Sequence, residues 1–153
     1  MILNIGCGRR PIDGAINHDL HKHADHVDVT HDLNEYPWPW EDGSADAIHA
    51  KDVLEHLNNL VKSLEECWRI LCMGGTLHLS MPHYQSEYGH DDPTHRWFVT
   101  LKSMDYFIRG GYWEQDFGFY SPMRWIQRHK ERIDGECIWI LEKDHPVTGS
   151  GAA

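Results

Sequence analysis

The first eleven residues, Met1 to Pro11 with the sequence MILNIGCGRRP, decide the fold. The apolar run that begins at Ile2 leads directly into Gly6-Cys7-Gly8, a pattern typical of a buried parallel strand that ends in a tight turn. Glycine suits such a turn because a Cβ atom would keep a ligand away from the backbone, whose N–H groups can bind a nucleotide-like molecule. A lone G-x-G also fits a plain strand-to-loop turn, so other residues must support a ligand site.

Length and composition indicate one globular domain over residues 1–144, followed by a flexible tail over 145–153. No apolar run approaches the ~18 residues of a membrane span, and no secretory leader is evident, so we expect a cytoplasmic protein without a membrane partner. A net charge of -10, without a block of basic residues, argues against binding of nucleic acid. The four cysteines lack C-x-x-C spacing, and we expect reduced thiols.

Short apolar runs separated by turn residues predict further strands in the first half of the chain. These strands lie at residues 15–19, 25–32, 47–50 and 77–81. Only about seven residues join the first two strands, whereas a parallel crossover normally contains a dozen or more. We therefore expect the N-terminal helices of the sheet to be shortened or missing.

A change to helical periodicity after the fourth strand predicts the main helix. Asp52 and Glu55 have the spacing of a capping box at its start, Asn58-Asn59 is a candidate break within it, and Gly74-Gly75 is expected to end it. A second helix is predicted over residues 101–108. Two strand-like runs about Asp134-Gly135 predict a C-terminal hairpin.

The order of these elements predicts an α/β fold, a Rossmann-like doubly wound sheet that is mostly parallel and ends in an antiparallel hairpin. With N-terminal helices shortened or missing, one sheet face would be thinly covered. Apolar surface of this kind is normally buried, here either by the Trp-rich C-terminal segment or by a second copy of the chain. A homodimer is therefore a prediction.

Five blocks of sequence carry a resemblance to a known family. They are LNIGCGRRP, the strand that ends in Asp19, HDLNEYPWPWEDGSADAI, DVLEHL and ECWRILCMGGTLHLSMP. In this order the chain resembles the class I methyltransferases that use S-adenosylmethionine, in particular a short type similar to methyltransferase type 11. The resemblance covers residues 2–107 and implies methyl transfer from S-adenosylmethionine to an O or N atom of a small-molecule or sugar acceptor.

The resemblance also implies a set of cofactor-binding residues. Asp19 would accept hydrogen bonds from the ribose hydroxyls, and Asp32 would face the adenine amino group, with Trp38 or Trp40 covering the ring. The family often has an acid where this chain has Asn4, so a charge toward the cofactor's amino group is missing there. The full set is Asn4, Gly6, Cys7, Gly8, Asp19, Leu20, Asp32, Leu33, Ala50 and Lys51.

The loop after the fifth strand is the predicted acceptor side, because ligands of this fold bind at the carboxyl ends of the strands. Methyl transfer requires in-line positioning, and a base only when the acceptor keeps its proton at neutral pH. His95 and His83 are the candidate bases; either is equally suited to a structural hydrogen bond or, with Asp91, to a metal. The candidate substrate-binding residues are Tyr84, Arg96 and His56.

Two other functions remain open. A catalytically inactive S-adenosylmethionine-binding protein would also explain Asn4 and the missing helices. The pattern His21, His23, Asp25, His26 fits the H-x-H-x-D-H motif of metallo-β-lactamase-like hydrolases, which bind zinc. In a chain with thirteen histidines this motif is expected by chance, and a solvated loop is the simpler interpretation.

Overall fold

A seven-stranded sheet organises residues 1–146, which are the residues that the computed structural model describes. The strands are β1 (Ile2–Ile5), β2 (Ile16–Asp19), β3 (Val29–Thr30), β4 (Ala45–Lys51), β5 (Leu71–Pro82), β6 (Trp125–Ile133) and β7 (Glu136–Lys143). Their order is β3-β2-β1-β4-β5-β7-β6, and β1 to β5 are parallel. Strand β7 is antiparallel to both β5 and β6. The predicted Rossmann-like sheet with a C-terminal hairpin is confirmed; residues 147–153 of the predicted tail lie outside the described residues.

Within the described residues, three α-helices lie between β4 and β6. They are α1 (Leu60–Ile70), α2 (Tyr88–Asp91) and α3 (Glu114–Phe117), with 3₁₀ turns at Leu54–His56, Leu101–Met104 and Gly118–Tyr120. The predicted start of the main helix is wrong. Asp52 lies in the left-handed region at φ 52°, and α1 begins after Asn59, whose side chain accepts the N–H of Lys62.

The end of α1 also differs from the prediction. The helix stops at Ile70 because Leu71 is already extended, and Gly74-Gly75 lies inside β5. The second predicted helix, over residues 101–108, is reduced to the 3₁₀ turn Leu101–Met104. The helical spacing of apolar residues in the segment 101–108 thus corresponds to a single 3₁₀ turn.

Side-chain amides replace a helix in the connection between β1 and β2. Asn4 donates from Nδ2 to Asn17 Oδ1 at 2.8 Å and to the Arg10 carbonyl at 3.0 Å. Asn17 Oδ1 also accepts the N–H of Ile12 at 2.8 Å. These bonds fix the loop without a crossover helix, and the expectation of a shortened connection is confirmed.

The two faces of the sheet are covered unequally. One face packs against α1 and the 3₁₀ turns, and both Trp125 and Trp139 are fully buried there. The opposite face, which we call the uncovered face, carries Asn4, Ser80, Ile138, Ile140 and the stacked rings of His49 and His78, whose centroids are 4.5 Å apart. The two C-terminal tryptophans therefore do not cover this face. No helix of the described residues is long and apolar enough to cross a membrane.

Candidate active site

The glycine turn after β1 has the strained backbone that its sequence predicts. Gly6 and Gly8 have φ values of 61° and 51°, a region that side chains with a Cβ rarely adopt. A Cβ on Gly6 would lie 2.5 Å from Cγ2 of Val53, whereas a Cβ on Gly8 would meet nothing within 4 Å. Gly6 therefore permits packing inside the protein, and Gly8 leaves its surroundings open to a ligand.

The carboxylate of Asp19 lies directly behind this turn. Its two oxygens accept the N–H groups of Gly8 and Leu20, each at 2.7 Å. Burial by itself would raise the pKa of Asp19, but these N–H groups and His23 lower it below its ordinary value. The other contacts of Oδ2, with His23 Nε2 at 3.4 Å and Cys7 Sγ at 3.9 Å, are long, so Asp19 remains able to accept hydrogen bonds from a ligand.

A groove of about 770 Å³ begins at the carboxyl ends of β1, β4 and β5 and continues over the uncovered face. Such strand ends are where ligands of doubly wound sheets bind. Six predicted cofactor residues line the groove: Asn4, Gly6, Cys7, Gly8, Ala50 and Lys51. The structure thus brings these six together, while the other four lie outside the lining.

Asp52 also lines this groove, although its spacing in the sequence predicted only a helix cap. Its Oδ2 is 3.4 Å from Arg10 Nη1, but its buried Oδ1 has no hydrogen-bond partner among the described residues. Burial, with Glu136 nearby, raises the pKa of the Asp52 carboxyl. A left-handed, non-glycine residue with an unpaired carboxylate oxygen is typical of a binding site.

The predicted adenine-side aromatics are not available to a ligand. Trp38 is 2% exposed, and its indole N–H donates to the Leu33 carbonyl at 2.9 Å. The buried Trp40 ring packs edge-on against His18. Both rings belong to the core, so the prediction that one of them covers the adenine is wrong.

The two remaining adenine-side residues lie near the end of β3. Asp32 is half-buried, and its Oδ1 accepts the N–H of Asn34 at 2.8 Å. Leu33 is buried in the core cluster. Asp32 thus shapes a turn in this structure, and its contact with adenine stays a prediction.

A second cluster follows β4 at the LEH sequence. Glu55 is fully buried, and neither carboxylate oxygen has a hydrogen-bond partner among the described residues. Burial raises the pKa of Glu55 to about 8, and the nearby carboxylates of Asp52, Glu136 and Asp92 act in the same direction. The predicted cap by this side chain is therefore wrong.

Two candidate site residues, His56 and His95, complete this cluster. The His95 Nε2 atom is 4.0 Å from Oε1 of Glu55, and its side chain is 7% exposed. The rings of His56 and His95 meet edge to face with centroids 4.7 Å apart. The cluster joins the turn after β4 to the segment that follows α2.

His83, the other candidate base, lies just after β5. Its Nδ1 accepts the N–H of Gln85 at 3.1 Å, which leaves the proton of the neutral ring on Nε2. Burial lowers the pKa of His83, and Arg132 lowers it further. In this tautomer Nε2 of His83 is a hydrogen-bond donor, and its role as a base stays a prediction.

The segment after β5 presents several side chains to solvent. Tyr84 and Arg96 are exposed. The backbone N–H of Arg96 donates to the Glu55 carbonyl at 2.8 Å, which directs the segment toward the turn after β4. Other exposed aromatic residues of the segment are Tyr88, Trp97 and Phe98.

The histidine motif between β2 and β3 does not form the predicted zinc site. Within residues 1–146, His23 and His26 lie together with Cys7, and their ring centroids are 5.6 Å apart. His21 and Asp25 are not part of this group. The spacing in sequence therefore does not translate into four converging ligands.

Known proteins share this fold. A family model described as a methyltransferase domain matches residues 12–79. No curated protein matches the chain in sequence. A Haloferax volcanii protein solved in complex with the Trm112 methyltransferase activator is 13% identical, with a TM-score of 0.66 over 94% of this chain and 82% of that one.

Two further solved structures are similar. An S-adenosylmethionine-dependent methyltransferase of Archaeoglobus fulgidus is 17% identical, with a TM-score of 0.62 over 93% of this chain and 85% of that one. The [4+2]-cyclase SpnF is 14% identical, with a TM-score of 0.64 over 94% of this chain and 74% of that one. At these identities the structures establish the fold alone.

The strand order and the glycine turn define a class I methyltransferase fold. The family match, together with this fold, confirms the predicted resemblance to the class I S-adenosylmethionine-dependent methyltransferases of type 11. S-adenosylmethionine is the cofactor of that family.

Proposed function

We propose that the chain transfers a methyl group from S-adenosylmethionine to an O or N atom of a small molecule or sugar. One observation supports this most directly: the groove at the strand ends is lined both by the open backbone of Gly8 and by Asp52, which carries a carboxyl group. A carboxylate in such a groove complements a ligand that is positively charged. The residues present therefore fit the cofactor of the family.

The residues of the groove and the two acids beyond its lining, Asp19 and Asp32, have separate tasks in this proposal. S-adenosylmethionine supplies a methyl group bonded to a positively charged sulfur, and the carbon of this methyl group is the electrophile. Asp52 provides the negative charge that Asn4 lacks, and Asp19 accepts the ribose hydroxyls. Gly8 lets the backbone approach the ligand closely, while Asp32 is assigned to the adenine side.

The acceptor is proposed to bind at the segment after β5. The exposed rings of Tyr84 and Trp97 offer flat apolar surfaces that suit sugars and small cyclic molecules. Arg96 is available for an acidic group, and His56 lies at the same side of the sheet. His95 and His83 are the proposed bases for acceptors that keep their proton at neutral pH.

A labelled-methyl assay tests the proposal. The full chain is incubated with S-adenosylmethionine labelled on the methyl group and with a panel of sugars, alcohols, phenols and amines. Transfer of label that depends on Asp52, measured with Asp52→Asn, would support the proposal. The exposed Asp13→Asn is the matched control because Asp13 does not line the groove.

Calorimetry with S-adenosylhomocysteine separates the alternatives. Binding without transfer to any acceptor would favour the inactive cofactor-binding protein, or a reaction without methyl transfer, as in the cyclase that shares the fold. No binding at millimolar ligand would contradict all of these functions. A single domain over residues 1–144 and a cytoplasmic location remain part of the proposal.

A further inference from the structure

The cluster of Glu55, His56 and His95 contains a buried carboxylate without a donor. Burying an ionised carboxylate is unfavourable unless hydrogen bonds or a cation compensate it, and both oxygens of Glu55 lack a partner in residues 1–146. One ligand atom from each of the three side chains lies within 4.8 Å of the others. The three ligand atoms are therefore close enough together to bind one small ion.

The hydrogen bonds of His56 determine which of its nitrogens is free. The Thr94 hydroxyl donates to Asp92 Oδ1 at 2.7 Å, because a carboxylate only accepts. Thr94 Oγ1 must then accept from His56 Nδ1, which is 2.8 Å away. The proton of the neutral His56 ring is therefore on Nδ1, and Nε2 retains its lone pair.

His95 has the same tautomer for a similar reason. Its Nδ1 is 3.3 Å from the Gly89 carbonyl, which only accepts, so Nδ1 carries the proton. The lone pair on Nε2 then faces Glu55 Oε1 at 4.0 Å. Two imidazole lone pairs and a carboxyl group come together here, and no other group of the described residues donates to the carboxyl oxygens.

A divalent cation resolves this arrangement. We propose that Glu55, His56 and His95 bind a divalent transition-metal ion of the zinc type. Two imidazoles with one carboxylate are a ligand set of protein zinc sites and leave a fourth position open. The bonds from Nδ1 to Gly89 and, through Thr94, to Asp92 match the outer partners that orient metal-binding histidines.

The ion would connect two parts of the candidate active site. It links the turn after β4, through Glu55 and His56, to the segment after α2, through His95. The inference does not depend on the proposed methyl transfer, since metal binding is measured without cofactor or acceptor. An ion on Nε2 of His95 would use the lone pair that a base requires, and would remove His95 from the candidate bases.

Zinc binding to the full chain tests the proposal. The experiment uses His26→Gln protein, in which the separate group of Cys7, His23 and His26 is disrupted. After chelator washing, this protein is expected to bind one equivalent of Zn²⁺ in competition with a chromophoric chelator. Adding Glu55→Gln, which preserves side-chain shape, is expected to abolish that binding. The proposal would be overturned if the His26→Gln protein bound no Zn²⁺. It would also be overturned if the protein that carries both changes still bound one equivalent of Zn²⁺.

A second variant separates metal binding from a general structural effect. Thr94→Val keeps the side-chain shape but removes the bond to His56, and is expected to weaken zinc affinity about 10- to 100-fold. Unchanged affinity would contradict the assigned tautomer and the site. If Glu55→Gln fails to fold, Co²⁺ added to the wild-type chain gives the decision. Visible absorption bands of bound Co²⁺ without a thiolate charge-transfer band would support this site. The absence of any visible Co²⁺ band would argue against it.

Discussion

Replacement of Asp19 by Ala probes the centre of the proposed cofactor site. The carboxylate already accepts the N–H groups of Gly8 and Leu20, and we assign its remaining lone pairs to the two ribose hydroxyls. A hydrogen bond to a charged group contributes about 1.5–3 kcal/mol. Because the side chain is 21% exposed, the lower end of this range is appropriate. Two lost bonds then correspond to about 3 kcal/mol, or roughly 100-fold weaker binding.

Calorimetric titration with S-adenosylhomocysteine measures this effect. Asp28→Ala is the matched control, since Asp28 accepts the N–H of Asn17 at 2.8 Å in the same part of the chain and is not assigned to the cofactor. Both variants lose a bond to the backbone, but only Asp19→Ala is expected to lose affinity. Equal affinity of Asp19→Ala and wild type would refute the ribose assignment.

The lowered pKa of Asp19 adds a pH dependence to the same comparison. A carboxyl whose pKa is lower in the folded chain stabilises it above the ordinary value of 3.8, and this contribution is lost as the pH falls through the folded value. Wild type should therefore unfold at a higher temperature than Asp19→Asn at neutral pH. In acid the two melting temperatures should converge, and a constant difference down to about pH 2 would contradict the stated cause.

Two further predictions concern the glycine turn and the uncovered face. Both Gly6→Ala and Gly8→Ala incur about 1–2 kcal/mol of left-handed backbone strain, but only Gly6→Ala also collides with Val53, so its free energy of unfolding should fall further. The reverse order in urea unfolding would contradict this. Light scattering should give the mass of a dimer, with Ile140→Glu on the uncovered face giving a monomer. A monomeric wild type at micromolar concentration would exclude the dimer.

Local sequence patterns were sufficient to predict the elements that are specified by residues close together in the sequence. The alternation of Leu77, Leu79 and Met81 places these side chains in the core. Asp134 and Gly135 have φ values of 49° and 84°, as a two-residue hairpin turn requires. In both cases the pattern and the turn chemistry specify the same structure, so no distant contact is needed to predict it.

Contacts between distant residues explain the errors. Asp52 and Glu55 have the spacing of a helix cap, but the chain turns at the end of β4. Asp52 lines the groove, and Glu55 is buried beside His56 and His95. Trp38 is buried, and its backbone N–H donates to Glu66 Oε2 at 2.7 Å, a carboxylate that also pairs with Arg69. Neither arrangement is specified by the spacing of residues within the segment concerned.

The departure at Asn4 and the missing crossover helix are explained by the same hydrogen bonds. Both protons of the Asn4 amide are donated, one to Asn17 Oδ1 and the other to the Arg10 carbonyl. An ionised acid has no proton to donate, so the residue usual in the family would leave both acceptors without a partner in this loop. Once the helix is replaced by a short connection, an amide at this position stabilises the fold. The negative charge that the cofactor requires must then come from elsewhere in the groove, and Asp52 is positioned to supply it.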